Sequence, residues 1–460
     1  MRGYRNSSAT WNHNVTYDLL IEGITLISRA FAAPIERAAL GITAGRFAFV
    51  GAAADLPPDT TATRRLTLNG HLVIPGMVNV HTHTILSMVR GVAEDMGFAP
   101  AYTPGVPQGH MVREDEAIAL ARLGALEAML AGSTLINDTY VHTDITLPAM
   151  ADLGLRVFSC NRIHDADFSG IASGRWEHHQ EIGESTLNQA LGIAQRFHGK
   201  PDARTGVQLA AHAPDTCSTP FLREVAQTAW RTGLRVQTHL SQSKVEVARI
   251  RERDNCSPPE LLESVGLLNE RLVAAHCIHL SENDIARIGS AKVFVAHIPK
   301  GNATGGTIAP TRKLVEAGAR LTLATDNMHA DMVEILRWGL CMGRVQTGRI
   351  EDSWQPEHML HAATEGGAAA MGMEDEIGQI ALGFRADCVA IDLRRPHLVP
   401  HNDPLGTLVH TGMGRDVSHV VVEGELVVED YRPTRCDPAE VIRAGAAASA
   451  ALWERAKAAR

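Results

Sequence analysis

His81 and His83 stand two residues apart in VIPGMVNVHTHT (73–84), an apolar run that reads as a buried strand. Successive strand side chains alternate faces, so both imidazoles point the same way. A same-face pair of histidines is half of a zinc or iron site. Alone the pair is a weak signal; its weight comes from repetition. THLSQS supplies His239, AAHCIHL supplies His276 and LATDNM supplies Asp326, each after an apolar run and before a polar turn. The bland alternative for any one of them is a buried side chain satisfied by a backbone group. Four strands delivering His or Asp to one face point instead to a shared divalent ion. Such an ion lowers the pKa of its bound water toward 7 and makes hydroxide available at neutral pH.

The elements that must position these residues follow from the rhythm of the chain. Eight Val/Leu/Ile-rich runs, at 73–84, 133–141, 156–163, 206–214, 235–243, 271–280, 292–299 and 320–328, alternate with helix-period segments such as EDEAIALARLGALEAMLAGS (114–133). Eightfold strand–helix alternation predicts a (β/α)8 TIM barrel, with the catalytic groups at the C-terminal ends of the strands. A doubly wound open sheet is the competing architecture. Strand-like runs punctuated by glycine before residue 73 and after residue 376 predict a small β-sandwich built from both termini. The expected organisation is a disordered tail (1–16), a composite β domain (17–72 and 377–433), the barrel (73–376) and a C-terminal helix (434–460). Thr219 and Asp437 are expected as helix N-caps.

Composition excludes several functions. The chain has 460 residues, with 43 Lys+Arg against 52 Asp+Glu, a net charge of −9, and no basic run that would suit nucleic acid. No apolar stretch reaches membrane-spanning length, and the polar start lacks a signal-peptide core. Seven scattered cysteines without a CxxC pair argue for a reduced, cytoplasmic protein and against a structural zinc knuckle. No Cys–His–Asn or Gly-x-Ser-x-Gly nucleophile motif is present.

PGMVNVHTHTILSMVRGVAEDM (75–96), THLSQSKVEV (238–247), ERLVAAHCIHL (270–280), VAHIPKGNATGGTIAP (295–310), LATDNMHADMVE (323–334) and MGMEDEIGQIALGFRADCVAIDL (371–393) occur in that order. Together they resemble the amidohydrolase superfamily, in particular the branch of cytosine, guanine and S-adenosylhomocysteine deaminases and triazine chlorohydrolases. The resemblance implies one catalytic divalent metal held by His81, His83, His239 and Asp326, with zinc expected first and iron or manganese also suited to the ligands. The end of strand 4 reads Ala211-His212-Ala213, with no lysine for a bridging carbamate, which favours a single ion. Asp326 is then the acceptor of the proton released on attack, and His276 polarises the substrate and stabilises the developing oxyanion. The implied activity is hydrolysis of a non-peptide C–N bond in a small cyclic or heterocyclic compound. The alternatives are a lactone, carbamate or halogenated ring, and a catalytically impaired homologue with a binding role. Members of this kind are commonly dimers or larger homo-oligomers.

One position departs from that pattern. Three residues after the strand-5 histidine the deaminases and chlorohydrolases carry a proton-shuttling glutamate; here it is Gln242, whose amide does not titrate. The change favours a substrate with an already electrophilic carbonyl or amidine, or a leaving group needing little proton help. Glu246 is a possible replacement if a helix begins at Gln242, but its ordinary reading is a solvated helix carboxylate. Arg90 and Glu94 are expected to contact substrate, as is His329. Asp138 and His212, at the ends of strands 2 and 4, either bind substrate or orient a ligand histidine. His297 reads as structural, His279 as facing away from the site, Cys277 as a small buried filler, and GNATGG (301–306) as a flexible loop.

Overall fold

The structure, a computed structural model, describes residues 15–96, 103–200, 204–327 and 329–458. Residues 1–14 of the expected tail lie outside these, while Thr16 opens the first strand, Thr16–Leu26.

Eight parallel strands follow one another in chain order around one sheet: Met77–Thr82, Ser133–Tyr140, Arg156–Ile163, Leu209–Ala211, Val236–Leu240, Leu272–His276, Phe294–His297 and Arg320–Leu323. Most of their residues are buried on both faces, which is why they read as continuous aliphatic runs and not as alternating ones. The first and last strands meet at a Thr82–Asp326 bridge. There the Asp326 N–H donates to His81 O (3.0 Å) and the His83 N–H donates to Asp326 O (3.1 Å). Helices connect the strands, among them Glu114–Leu130, Gln180–Phe197, Thr219–Thr232 and Lys244–Asp254. The chain is therefore a (β/α)8 barrel. Strand 4 is shorter than the run 206–214. A two-residue piece, Thr205–Gly206, pairs separately with strand 3, and Gln208 between the pieces turns its amide toward Ala370 O (2.9 Å). The cap of Thr219–Thr232 is Ser218, whose hydroxyl accepts from the Phe221 N–H; Thr219 is already helical because Pro220 suits the first helical turn, where no N–H is needed.

A second sheet draws strands from both ends of the chain. Cys388–Asp392 pairs antiparallel with His71–Pro75, and this seam joins Thr16–Leu26, Ile35–Thr43 and Arg46–Ala52 to Val417–Val422 and Glu425–Glu429. Leu19, Ile21, Leu40, Phe47, Val73, Ala390 and Val421 share one apolar core between these arms. A buried ion pair, Arg156 with Asp387 at 3.3 Å, bolts this sheet to the foot of strand 3. The last helix, Pro438–Ala458, lies on Glu114–Leu130, where a Cβ on Gly445 would meet Leu123 at 2.7 Å. Asp437 stands at its head and accepts from the Ala439 N–H (2.9 Å).

The turn leaving strand 1 is fixed by Asp138. Its Oδ1 accepts from the Thr84 N–H (2.7 Å) and hydroxyl (2.8 Å), and its Oδ2 accepts from Ser159 (3.3 Å). Burial pushes this carboxyl from the ordinary 3.8 up to about 6, against the pull of those three donors. The folded chain therefore holds a proton that the unfolded chain has lost between pH 4 and 6. The contribution of Asp138 to stability should fall by about 3 kcal/mol as pH rises across that window and stay level above it. Urea unfolding of wild type and Asp138→Asn at pH 4, 5, 6 and 7 checks this: the variant should lose that part of the slope, and parallel curves would refute it.

Candidate metal centre

His81, His83, His239, His276 and Asp326 converge at the C-terminal mouth of the barrel, all less than a tenth exposed. Ligand atoms of His81, His239 and His276, and likewise of His81, His83 and Asp326, lie within 4.8 Å of one another. His83 Nε2 is 3.2 Å from His239 Nε2. Asp326 Oδ1 is 3.7 Å from His81 Nε2 and 3.4 Å from His83 Nε2, while Oδ2 faces His276 Nε2 at 3.9 Å.

Each imidazole has its other nitrogen committed to an oxygen. His81 Nδ1 meets Gln237 Oε1 (3.2 Å), His83 Nδ1 meets Thr139 O, His239 Nδ1 meets His212 O (2.6 Å) and His276 Nδ1 meets Asn302 Oδ1 (3.0 Å). These acceptors require a proton on every Nδ1 and leave an Nε2 lone pair on every ring. Burial first, then neighbouring imidazoles, hold His81, His83 and His239 well below the usual 6.5, so the rings are neutral. Neutral Nε2 atoms of His83 and His239 facing each other repel unless a cation sits between them. Their separation is close to the roughly 3.4 Å expected for two nitrogens about 2.1 Å from one tetrahedral ion. His81 Nε2 is buried with no hydrogen-bond partner at all. The five side chains thus form a His/Asp group fit to hold a divalent metal. Two of them sit on strained backbone, His276 at φ +72° and Asp326 at φ +65°, a conformation that persists only where the surroundings enforce it.

A cavity of about 1040 Å³ opens above this group. His83, His239, His276, Asp326, Gln242, Arg90, Glu94, His212 and His329 line it. His81 lies beneath, against Gln237 and Thr139. Asp138 is not on the lining, because its carboxylate is spent on Thr84 and Ser159. Arg90 is ion-paired with Glu127, and His212 Nδ1 meets the Thr216 hydroxyl at 2.8 Å. His329 is half-buried, with both ring nitrogens buried and unpartnered.

Three readings of individual residues change. Glu246 is fully buried, not solvated. The helix starts at Lys244, so Gln242 lies in the turn before it, and the unpaired N–H groups there draw the carboxylate back: Glu246 accepts from the Ser241 and Gln242 N–H groups, both at 2.8 Å. It is occupied away from the cavity and holds Gln242 in place. His279 lines the cavity, because His276 and Cys277 both take positive φ and break the strand alternation. GNATGG is not a loop throughout: Pro299–Thr304 is a helical turn, and it delivers Asn302 to His276. The sequence reading also missed Gln237. Its amide links His81 to Asn137, which continues to Gln208, all within the barrel.

Residues 72–427 match the Amidohydrolase family. A 5-methylthioadenosine/S-adenosylhomocysteine deaminase from Moorella thermoacetica is 30% identical over 88% of this chain and 93% of that protein. A 5'-deoxyadenosine deaminase from Methanosarcina acetivorans is 31% identical over 85% of this chain and 88% of its own length. The solved structure of an adenosine deaminase from Xanthomonas campestris with bound zinc superposes with a TM-score of 0.85 at 23% identity, covering 96% of this chain and 99% of that one. With a barrel that brings four histidines and one aspartate to a single point, and with that match over most of its length, the chain belongs to the amidohydrolase family.

Proposed function

We propose that the protein hydrolyses a C–N bond of a small nitrogen heterocycle, by deamination or by amide or amidine cleavage, at one zinc ion held by His81, His83, His239 and Asp326. The convergence of Nε2 lone pairs with a lone carboxylate carries this reading. The deaminase names of relatives at 30% identity or more, which span over four-fifths of the chain, support the reaction class. An intracellular site of action fits the seven cysteines, all free, and no helix among the described residues is long and apolar enough to cross a membrane.

When bound, the ion supplies Lewis acidity that makes a water nucleophilic at neutral pH. The residues divide the remaining work. Asp326 turns Oδ1 to the His81–His83 pair and Oδ2 toward His276, so Oδ2 is the oxygen placed to take up the nucleophile's proton. His276, steered by Asn302, aims its Nε2 lone pair at the same space and orients the nucleophile by accepting a hydrogen bond from it. Gln242 reaches the cavity from a backbone clamped by Glu246 and offers an amide to a ring heteroatom without exchanging a proton. The cavity, at about 1040 Å³, has room for a base carrying a substituent of sugar size.

Chelation should remove about one equivalent of zinc together with activity, and zinc should restore both; a chain that takes up no metal under any condition would sink the reading. Asp326→Asn should lower kcat by about 100- to 10,000-fold, the range for loss of a proton-transfer group. Ammonia release should be screened over adenosine, 5'-deoxyadenosine, guanine, cytosine and a lactam set. Gln242→Glu should raise turnover of the purine and pyrimidine amines relative to wild type. A wild type already fast on them would show that an amide at this position costs the reaction nothing.

A further inference from the structure

We propose that the C-terminal helix, Pro438–Ala458, sets substrate affinity by holding two walls of the cavity from outside, with Ser449, Trp453 and Arg455 as positioning residues. This rests on the reading of the cavity as a substrate site. Two donors from the helix converge on one carbonyl: Trp453 Nε1–H (2.8 Å) and the Ser449 hydroxyl (3.1 Å) both donate to Met88 O. Met88 belongs to the turn Thr84–Val89 that leaves strand 1, two residues before Arg90 and six before Glu94, which line the cavity. Two residues beyond Trp453, Arg455 donates to Met111 O (3.0 Å) and pairs with Glu116. Met111 closes the turn Gly109–Met111. A Cβ on Gly109 would lie 2.5 Å from Arg162 Nη2 and 3.3 Å from Tyr140 Oη, so this turn presses directly on two more lining residues.

The helix is seated firmly enough to act in this way. Val441, Gly445, Ala448, Leu452 and Ala456 form its buried stripe, and Leu452 is 0% exposed. It rests on Glu114–Leu130, the helix whose Glu127 pairs with Arg90, so the same support reaches Arg90 by two routes. None of Ser449, Trp453 or Arg455 is among the cavity-lining residues or the His/Asp group. Their effect should therefore fall on KM and leave the metal untouched.

The test uses the full-length, zinc-loaded protein and the double variant Ser449→Ala/Trp453→Phe, which keeps the aromatic ring and removes both donors. Ile442→Ala, on the exposed side of the same helix (55% exposed), is the control. Hydrogen exchange over residues 84–95 should speed up in the double variant only. KM should rise about 5- to 160-fold, the equivalent of two neutral hydrogen bonds, with kcat and zinc content unchanged. Trp453→Phe alone should fall between. Unchanged exchange, or faster exchange with unchanged KM, would overturn the proposal, and so would zinc loss in the double variant. A wild type that turns over nothing in the screen would refute the reading of the cavity instead, and the exchange experiment, needing no substrate, would still decide whether the helix holds the wall.

Discussion

Four imidazoles, each tethered through Nδ1, turn their Nε2 atoms into one small volume, and much of the barrel exists to make them do so. The tethers come from different kinds of group: two backbone carbonyls, Thr139 and His212, and two side-chain amides, Gln237 and Asn302. Carbonyls at strand ends are positioned by the sheet itself. The amides must be oriented by their own partners, and Gln237 is held by Asn137 and, through it, Gln208. A buried nitrogen without a partner costs on the order of 1–3 kcal/mol. Facing lone pairs of this kind are costly on their own, and a cation is the group that relieves them.

The same logic extends to the loops. Carboxylates that look like chemistry by position turn out to serve geometry. Asp138 collects three donors to fix the turn after His83, and Glu246 collects two backbone N–H groups to fix the turn after His239. Both are carboxyl groups taken out of water, and burial raises the pKa of each against the pull of the fixed donors around them. What reaches the cavity at position 242 is a neutral amide on a stiffened backbone, so selectivity there rests on hydrogen-bond geometry.

The barrel, the two-ended sheet and the five converging side chains were legible in the sequence because each leaves a periodic or repeated mark: aliphatic runs, glycine punctuation, and His or Asp closing a run. Gln237 and Asn302 left none. An amide inside a barrel is recognisable only through what it faces, and Asn302 reaches His276 from a strand-7 turn that looked like a flexible loop. Glu246 was misread because a start two residues later rotates a helix by more than half a turn. His279 was misread because two consecutive residues at positive φ are invisible to a rule of alternation. The C-terminal helix was recognisable as a helix, yet nothing in its composition says that its tryptophan caps a carbonyl 365 positions earlier.

Asp326 does two things with one residue. Its carboxylate faces the imidazoles of strand 1, and its backbone N–H and carbonyl stitch the eighth stave to the first. An occupant gripping that side chain and those imidazoles together is thereby a rivet through the hoop, fastening segments more than two hundred positions apart. A cation held there would couple loading of the site to closure of the cylinder along this joint.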